Sequence, residues 1–108
     1  MSKDLGDKIK ALRTAKKLTL EQLAEKCESS KGYIWEIENR GTRKPSGEKL
    51  MKIAKALDTT TEYLLDSSGS SSEVDAADTA FFRKYQDMPP KTKEKIRRSI
   101  DLLWEDED

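Results

Sequence analysis

Lys31, Gly32, Trp35 and Glu36 stand close together in the stretch SKGYIWEIEN, and these positions could recognise a nucleic acid. An ammonium such as that of Lys31 donates to guanine O6 or N7, and a carboxylate such as that of Glu36 accepts from cytosine N4. Gly32 has no side chain, so a base or a backbone can come close there. Trp35 offers an apolar plane to sugars, to thymine methyls or to a partner's surface. Each residue also has a plainer reading: Lys31 and Glu36 as solvated charges, Trp35 as partly covered by the loop that follows it. Catalytic chemistry is poorly served. The chain has no histidine and one cysteine, Cys27. The commonest general base and metal ligand is therefore missing, and no internal disulfide can form. There is no Ser/His/Asp set, no CxxC pair and no glycine-rich phosphate loop. Neither an enzyme nor a cofactor or metal site is expected.

Helices must position these residues, because apolar residues recur at helical spacing along the first two thirds of the chain. Leu5, Ile9 and Leu12 give a first helix one apolar face. Thr19 opens a second, and Gln22 completes a capping box in which the two side chains satisfy each other's free backbone N–H groups. Leu20, Leu23, Ala24 and Cys27 form its stripe. Ser30 can cap a third helix, with Ile34 and Ile37 facing inward. Pro45-Ser46 starts a fourth, carrying Leu50, Ile53, Ala54 and Leu57. Thr59 to Glu62 reads as a second capping box opening a short fifth helix with Leu64 and Leu65. The link between the second and third helices, Glu28 to Ser30, is so short that they should cross steeply, as in a helix-turn-helix. An αα-hairpin with no role in nucleic-acid binding fits the same periodicity. On a helical wheel, Gly32, Glu36 and Asn39 lie nearly opposite Ile34 and Ile37, with Lys31 and Trp35 flanking one edge and Tyr33 nearer the core.

The sequence has 108 residues, of which 34% are hydrophobic and 39% charged, so any core is small. An all-α fold is expected, since each helix buries only one stripe. Residues 67–73, SSGSSSE, read as a flexible linker. It divides a module over 1–66 from a tail over 74–108. The net charge of zero hides an asymmetry: residues 1–66 carry 14 Lys/Arg against 11 Asp/Glu, and residues 67–108 carry 7 against 10. So weak a basic excess implies poor non-specific DNA affinity, and useful binding needs two copies on one site. No apolar run is long enough to cross a membrane, and MSKDLGDKIK lacks the apolar stretch of a signal peptide. A cytoplasmic location is the expectation.

The tail holds two amphipathic patterns. One runs from about Asp75 to Gln86 and carries Ala80, Phe81, Phe82 and Tyr85; the other follows Pro89-Pro90 and carries Ile96, Ile100, Leu103 and Trp104 on one face. Helices with exposed aromatics after a flexible linker need a partner: the first module, a second copy or another protein. The last helix starts basic (Lys91, Lys93, Lys95, Arg97, Arg98) and ends acidic (Glu105 to Asp108), against the preference of the helix dipole. Antiparallel pairing of two such helices in a homodimer accounts for that order; a solvated charge pattern with a frayed end is the plainer reading.

The stretch TLEQLAEKCESSKGYIWEIENRGTRKPSGEKLMKIAKALDTTTEYLL resembles the Cro/C1-type helix-turn-helix, the XRE family. The likeness rests on the TxxQLA opening of the second helix, the short turn, the IxxIE of the third and the PSxxxLxKIAKAL that follows, and it spans about residues 5–65. It implies a five-helix, lambda-repressor-like DNA-binding domain, here followed by the linker and two C-terminal helices. Two positions depart from the family: Glu28 stands where glycine is usual, and Ser29 where an apolar residue is usual. The family's base-reading positions fall on Lys31, Gly32 and Glu36, with Ser30 nearby; Trp35 joins them at the edge of that face. Its phosphate positions fall on Thr19, Leu20, Asn39, Arg43 and Lys44, and Leu20 could contribute only its backbone N–H. The family also pairs a glutamate at the position of Glu38 with an arginine at that of Arg13, here read as a structural ion pair. The function expected is sequence-specific transcription regulation: a repressor that binds a pseudo-palindromic, double-stranded operator as a homodimer. Phe81, Phe82, Tyr85, Ile96, Ile100, Leu103 and Trp104 are expected to form the dimer or partner surface. A module that mainly binds another protein is the rival reading.

Overall fold

The computed structural model describes residues 2–41 and 44–106, and these form helices without a strand. The order is α1 (Ser2–Ala15), α2 (Leu20–Lys26), α3 (Lys31–Asn39), α4 (Gly47–Ala56), α5 (Thr61–Leu65), α6 (Glu73–Gln86) and α7 (Pro90–Asp106). Hydroxyl side chains set the starts of α2 to α6. Thr19, Ser30, Ser46, Thr60 and Ser72 each adopt extended backbone and accept a hydrogen bond from the N–H three residues on, satisfying a donor that the helix itself cannot. At α2 the capping box is complete, with Thr19 N donating to Gln22 Oε1 at 2.8 Å and Gln22 N to Thr19 Oγ1 at 3.0 Å.

Two boundaries differ from the sequence reading. The cap of α5 is Thr60, not Thr59, because Thr59 is occupied in ending α4: its N–H donates to Ala54 O at 3.0 Å. Thr59 is buried, and its Oγ1 has no hydrogen-bond partner among the described residues. Glu62 therefore falls one position short of the place from which it could close a box. The first tail helix begins at Glu73 rather than near Asp75, since Ser72 supplies its cap.

Three helices end alike. Lys17, Glu28 and Asp58 sit at φ of 60°, 57° and 55°, and the residue after each donates back to the carbonyl five positions earlier: Leu18 to Arg13, Ser29 to Ala24, Thr59 to Ala54. This is the Schellman arrangement, in which glycine is the usual residue at positive φ. Two of these ends are tied to a neighbouring helix by an ion pair, Glu28 with Lys52 and Asp58 with Lys16. Lysines also reach carboxyl ends directly. Lys49 Nζ donates to Cys27 O at 3.2 Å and Glu28 O at 3.0 Å; Lys8 Nζ donates to Tyr63 O at 2.7 Å and to Asp66 O. A cation there opposes the negative end of the helix dipole.

The core joins Ile9 of α1, Leu23 and Ala24 of α2 with Cys27 at its end, Ile34 and Ile37 of α3, Leu50, Ile53 and Ala54 of α4 with Leu57, and Leu64 of α5. α3 packs against both α1 and α2. Among the described residues the tail contributes only Ala76 to the buried apolar set. The radius of gyration, 15.8 Å, exceeds the roughly 13 Å of a compact chain of this length. Among the described residues no helix is long and apolar enough to cross a membrane.

Candidate nucleic-acid interface

The side of α3 turned to the protein is clamped by one charged group. Glu38 is buried, and its carboxylate accepts from Arg13 Nε at 2.7 Å and from Nη2 at 3.0 Å. The third guanidinium nitrogen, Nη1, donates to Leu18 O at 2.8 Å. One side chain of α1 thus ties together α3 and the loop that leads into α2. Donating to the Glu38 carboxylate holds the Arg13 guanidinium above its ordinary pKa. The two helices touch backbone to backbone at Gly6, where an added Cβ would lie 2.3 Å from Ile37 O and 3.0 Å from Glu38 O.

The link from α2 to α3, Cys27 to Ser30, turns on Glu28 in its left-handed conformation. The two lysines of α4 described above hold that turn, Lys49 by its carbonyls and Lys52 by the Glu28 carboxylate. The Lys52 hydrogen bond pulls the Glu28 carboxyl below its ordinary pKa. Cys27 is fully buried beside the turn, and desolvation pushes its thiol above the usual range against the field of Lys49 and Lys52.

The other side of α3 is open. Lys31 and Gly32 are exposed, and a Cβ built on Gly32 meets nothing within 4 Å. Ser30 is exposed too, but its hydroxyl is engaged as the cap and accepts from Tyr33 N at 3.1 Å. Trp35 is 41% exposed. Glu36 is half-buried. Asn39 is exposed and spends one amide hydrogen on Trp35 O at 3.0 Å, leaving the other.

Of the positions proposed for phosphate, Thr19 and Leu20 lie together at the start of α2, where Thr19 is engaged in its capping box and Leu20 packs half-buried on the core. Lys44 is exposed; Arg43 lies outside the described residues. Among the described residues no three His, Cys, Asp or Glu side chains group as a metal site.

In the tail, Tyr85 and Ile96 are half-buried. Tyr85 stacks on Phe81 with ring centroids 6.3 Å apart, meets Arg97 through its hydroxyl, and has Lys93 Nζ 5.5 Å from its ring centroid. Phe81, Phe82, Ile100, Leu103 and Trp104 remain exposed, as does Leu102, with Trp104 at 77%.

Several further residues shape this site with little or no signal in the sequence. Gly6 carries a local signal, a glycine inside an apolar helical pattern, which costs about 1 kcal/mol against alanine and so points to a packing reason. Lys8 and Lys49 carry none, because the carbonyls they reach are far away in sequence. Arg40 follows α3 directly, and its guanidinium carbon lies 5.4 Å from the Trp35 ring centroid.

Comparison with known proteins agrees with this geometry. A family model described as a helix-turn-helix matches residues 9–64. The control protein C.BamHI of Bacillus amyloliquefaciens is 40% identical over 62 residues, a match covering 56% of this chain and 75% of that protein. The transcriptional regulator SinR of Bacillus subtilis is 37% identical over 62 residues, covering 57% and 56%. An HTH-type transcriptional regulator of Mycobacterium tuberculosis is 39% identical over 64 residues, which is 59% of this chain but only 45% of that protein. Among solved structures, a SinR/SinI complex superposes with a TM-score of 0.57 at 26% identity over 96% of this chain and 99% of that one. The clp gene regulator ClgR of Corynebacterium glutamicum gives 0.55 at 25% identity over 94% and 92%.

Proposed function

The chain belongs to the helix-turn-helix family of transcriptional regulators, in its Cro/C1 (XRE) type, and on that premise we propose that it is a repressor acting as a homodimer on a pseudo-palindromic operator. The observation that carries this reading is the two-sidedness of α3. Ile34, Ile37 and Glu38 are buried, while Lys31, Gly32, Trp35 and Asn39 face solvent from its first turn onward. In this docking mode the start of such a helix enters the major groove. Lys31 then donates to a guanine edge, Gly32 admits close approach, and Glu36 accepts from a cytosine amine. Thr19, Leu20, Asn39, Arg43 and Lys44 hold the register on the phosphates.

The second copy is brought by the tail. Exposed Phe81, Phe82, Ile100, Leu103 and Trp104 need cover, and two copies of α7 laid antiparallel set basic starts against acidic ends. A different protein on the same face is the alternative, favoured by the likeness over nearly the whole chain to a SinR/SinI complex.

Selection of bound sites from random duplex DNA by the purified chain tests the reading. The expected sites have two half-sites about 34 Å apart, one helical turn. Affinity should fall steeply with salt. Lys31→Ala should relax preference at one base position by about 1–3 kcal/mol, whereas Lys44→Ala should weaken all sites alike. Sedimentation of the full chain should give a dimer that Leu103→Asp with Trp104→Asp turns into a monomer; both side chains are exposed, so folding is spared. No enrichment of any duplex would remove the DNA-binding reading, and an unaltered dimer would remove the tail from the interface.

A further inference from the structure

We infer that Arg40 is a further DNA-backbone contact and that Trp35 is the positioning residue that holds it, an inference resting on the DNA-binding reading above. Arg40 caps α3 in helical conformation (φ −102°, ψ −29°) and is exposed. Its guanidinium forms no ion pair among the described residues. It lies over the indole of Trp35, 5.4 Å from guanidinium carbon to ring centroid. The Trp35 carbonyl is in turn held by the Asn39 amide at 3.0 Å. Stacking on an indole restrains the long arginine side chain without neutralising it. Its N–H donors stay available in the planar fork that matches a phosphate.

Position adds to chemistry. Arg40 is nine residues beyond Lys31, about 13 Å along the helix at 1.5 Å per residue. The major groove is about 12 Å wide. With the start of α3 on base edges, its far end has crossed to the strand that borders the groove. A fixed cation there meets phosphate, not bases. Trp35 then acts through Arg40 instead of touching the DNA itself.

The test is a salt series of affinity for a selected duplex and for an unrelated one, using the full chain. Arg40→Ala should weaken both duplexes by about tenfold, and the slope of log affinity against log salt should shrink by about 0.9, one phosphate contact. Arg40→Lys should keep the slope. Trp35→Leu, which keeps apolar bulk but lacks a π face, should weaken binding about threefold; Trp35→Phe should restore it. In the Arg40→Ala background, Trp35→Leu should cost nothing more. Melting curves identify any variant that loses its fold, and the Phe and Lys variants then decide. An unchanged slope in Arg40→Ala removes the phosphate contact. An undiminished Trp35→Leu loss in that background makes Trp35 a direct contact and overturns its positioning role. A wild-type chain that binds no duplex at low salt defeats the DNA reading itself, a result separate from either.

Discussion

Replacing Gly6 by alanine should destabilise the protein, although the same change elsewhere in its helices should not. Glycine inside a helix costs about 1 kcal/mol against alanine, so Gly→Ala in open helix is a gain. At Gly6 the new methyl would sit 2.3 Å from the carbonyl oxygen of Ile37, with the backbone of Glu38 at 3.0 and 3.1 Å. The colliding atoms are main chain of α3, which cannot swing aside as a flexible side chain does. Overpacking of this kind costs typically 1–3 kcal/mol, and contact with rigid backbone puts it near the upper end. Subtracting the propensity gain leaves a net loss of about 2 kcal/mol. At roughly 4–8 °C per kcal/mol for a domain of this size, Tm falls by roughly 8–16 °C. Gly32 and Gly47 supply the controls: each is exposed near a helix start, and an added Cβ meets nothing within 4 Å. Gly32→Ala and Gly47→Ala should leave Tm unchanged or raise it by no more than the propensity term. Thermal melts of the three variants decide. A Gly6→Ala protein as stable as wild type would mean that α1 and α3 do not approach as described.

Three other perturbations follow from the site. Glu28→Gly should raise stability by about 1 kcal/mol, because a side chain in the left-handed region is strained there and glycine is not. Its carboxyl is depressed, so what the Lys52 pair contributes is fully present above the ordinary value of 4.5 and is lost as pH falls through the lower folded value. The variant's advantage in urea should therefore widen on acidification; a variant less stable than wild type at low pH would count against the assignment of the turn. Arg13→Ala strands the buried Glu38 carboxylate and should cost about 3–5 kcal/mol in urea unfolding, and an unshifted midpoint would deny the pair a structural role. Cys27, buried and with its thiol pushed up, should react with iodoacetamide only as fast as the protein opens, a point refuted by rapid labelling under native conditions.

What was legible in the sequence was what is encoded locally. Thr19, Ser30 and Ser46 announce helix starts because a cap hydroxyl and the N–H that donates to it lie within three residues. The apolar stripes put Ile34 and Ile37 inside α3 because helical period is a property of neighbours. Glu28 could be read as a strained position because the resemblance placed a glycine there, and its φ of 57° is the conformation that glycine would favour. What stayed hidden depends on folding itself. Thr59 and Thr60 are equivalent as residues, and only the way α4 ends decides which of them is free to cap α5. The close packing at Gly6, where an added Cβ would lie 2.3 Å from Ile37 O, and the grip of Lys49 on the α2 carboxyl end join residues more than 20 positions apart. The Arg40–Trp35 stack spans five residues, yet an arginine at a helix end has many rotamers, and spacing alone does not choose among them.

The residues that hold α3 are distinct from those proposed to read DNA. The contacts described for the inner side hold the helix: the Arg13 fork on Glu38, the close approach at Gly6, and the burial of Ile34 and Ile37. The outer positions Lys31 and Gly32 contribute nothing to that set. A Cβ at Gly32 meets open space, and Lys31 is a solvated side chain in the first turn. Surface substitutions away from special features usually change stability by no more than about 0.5 kcal/mol, whereas one base contact carries about 1–3 kcal/mol of discrimination. On the proposed reading, sequence preference should therefore be rewritable at these two positions while the fold stays as stable as before. The opposite holds at Arg13 and Gly6, where a change tilts or releases the whole helix and should weaken every site together. Measuring stability and site preference on the same variants, Lys31→Gln and Gly32→Ser against Gly6→Ala and Arg13→Ala, resolves the two classes. If the outer pair lost stability while keeping its preferred site, α3 would not be the reading element and its exposed side would belong to another surface of the assembly.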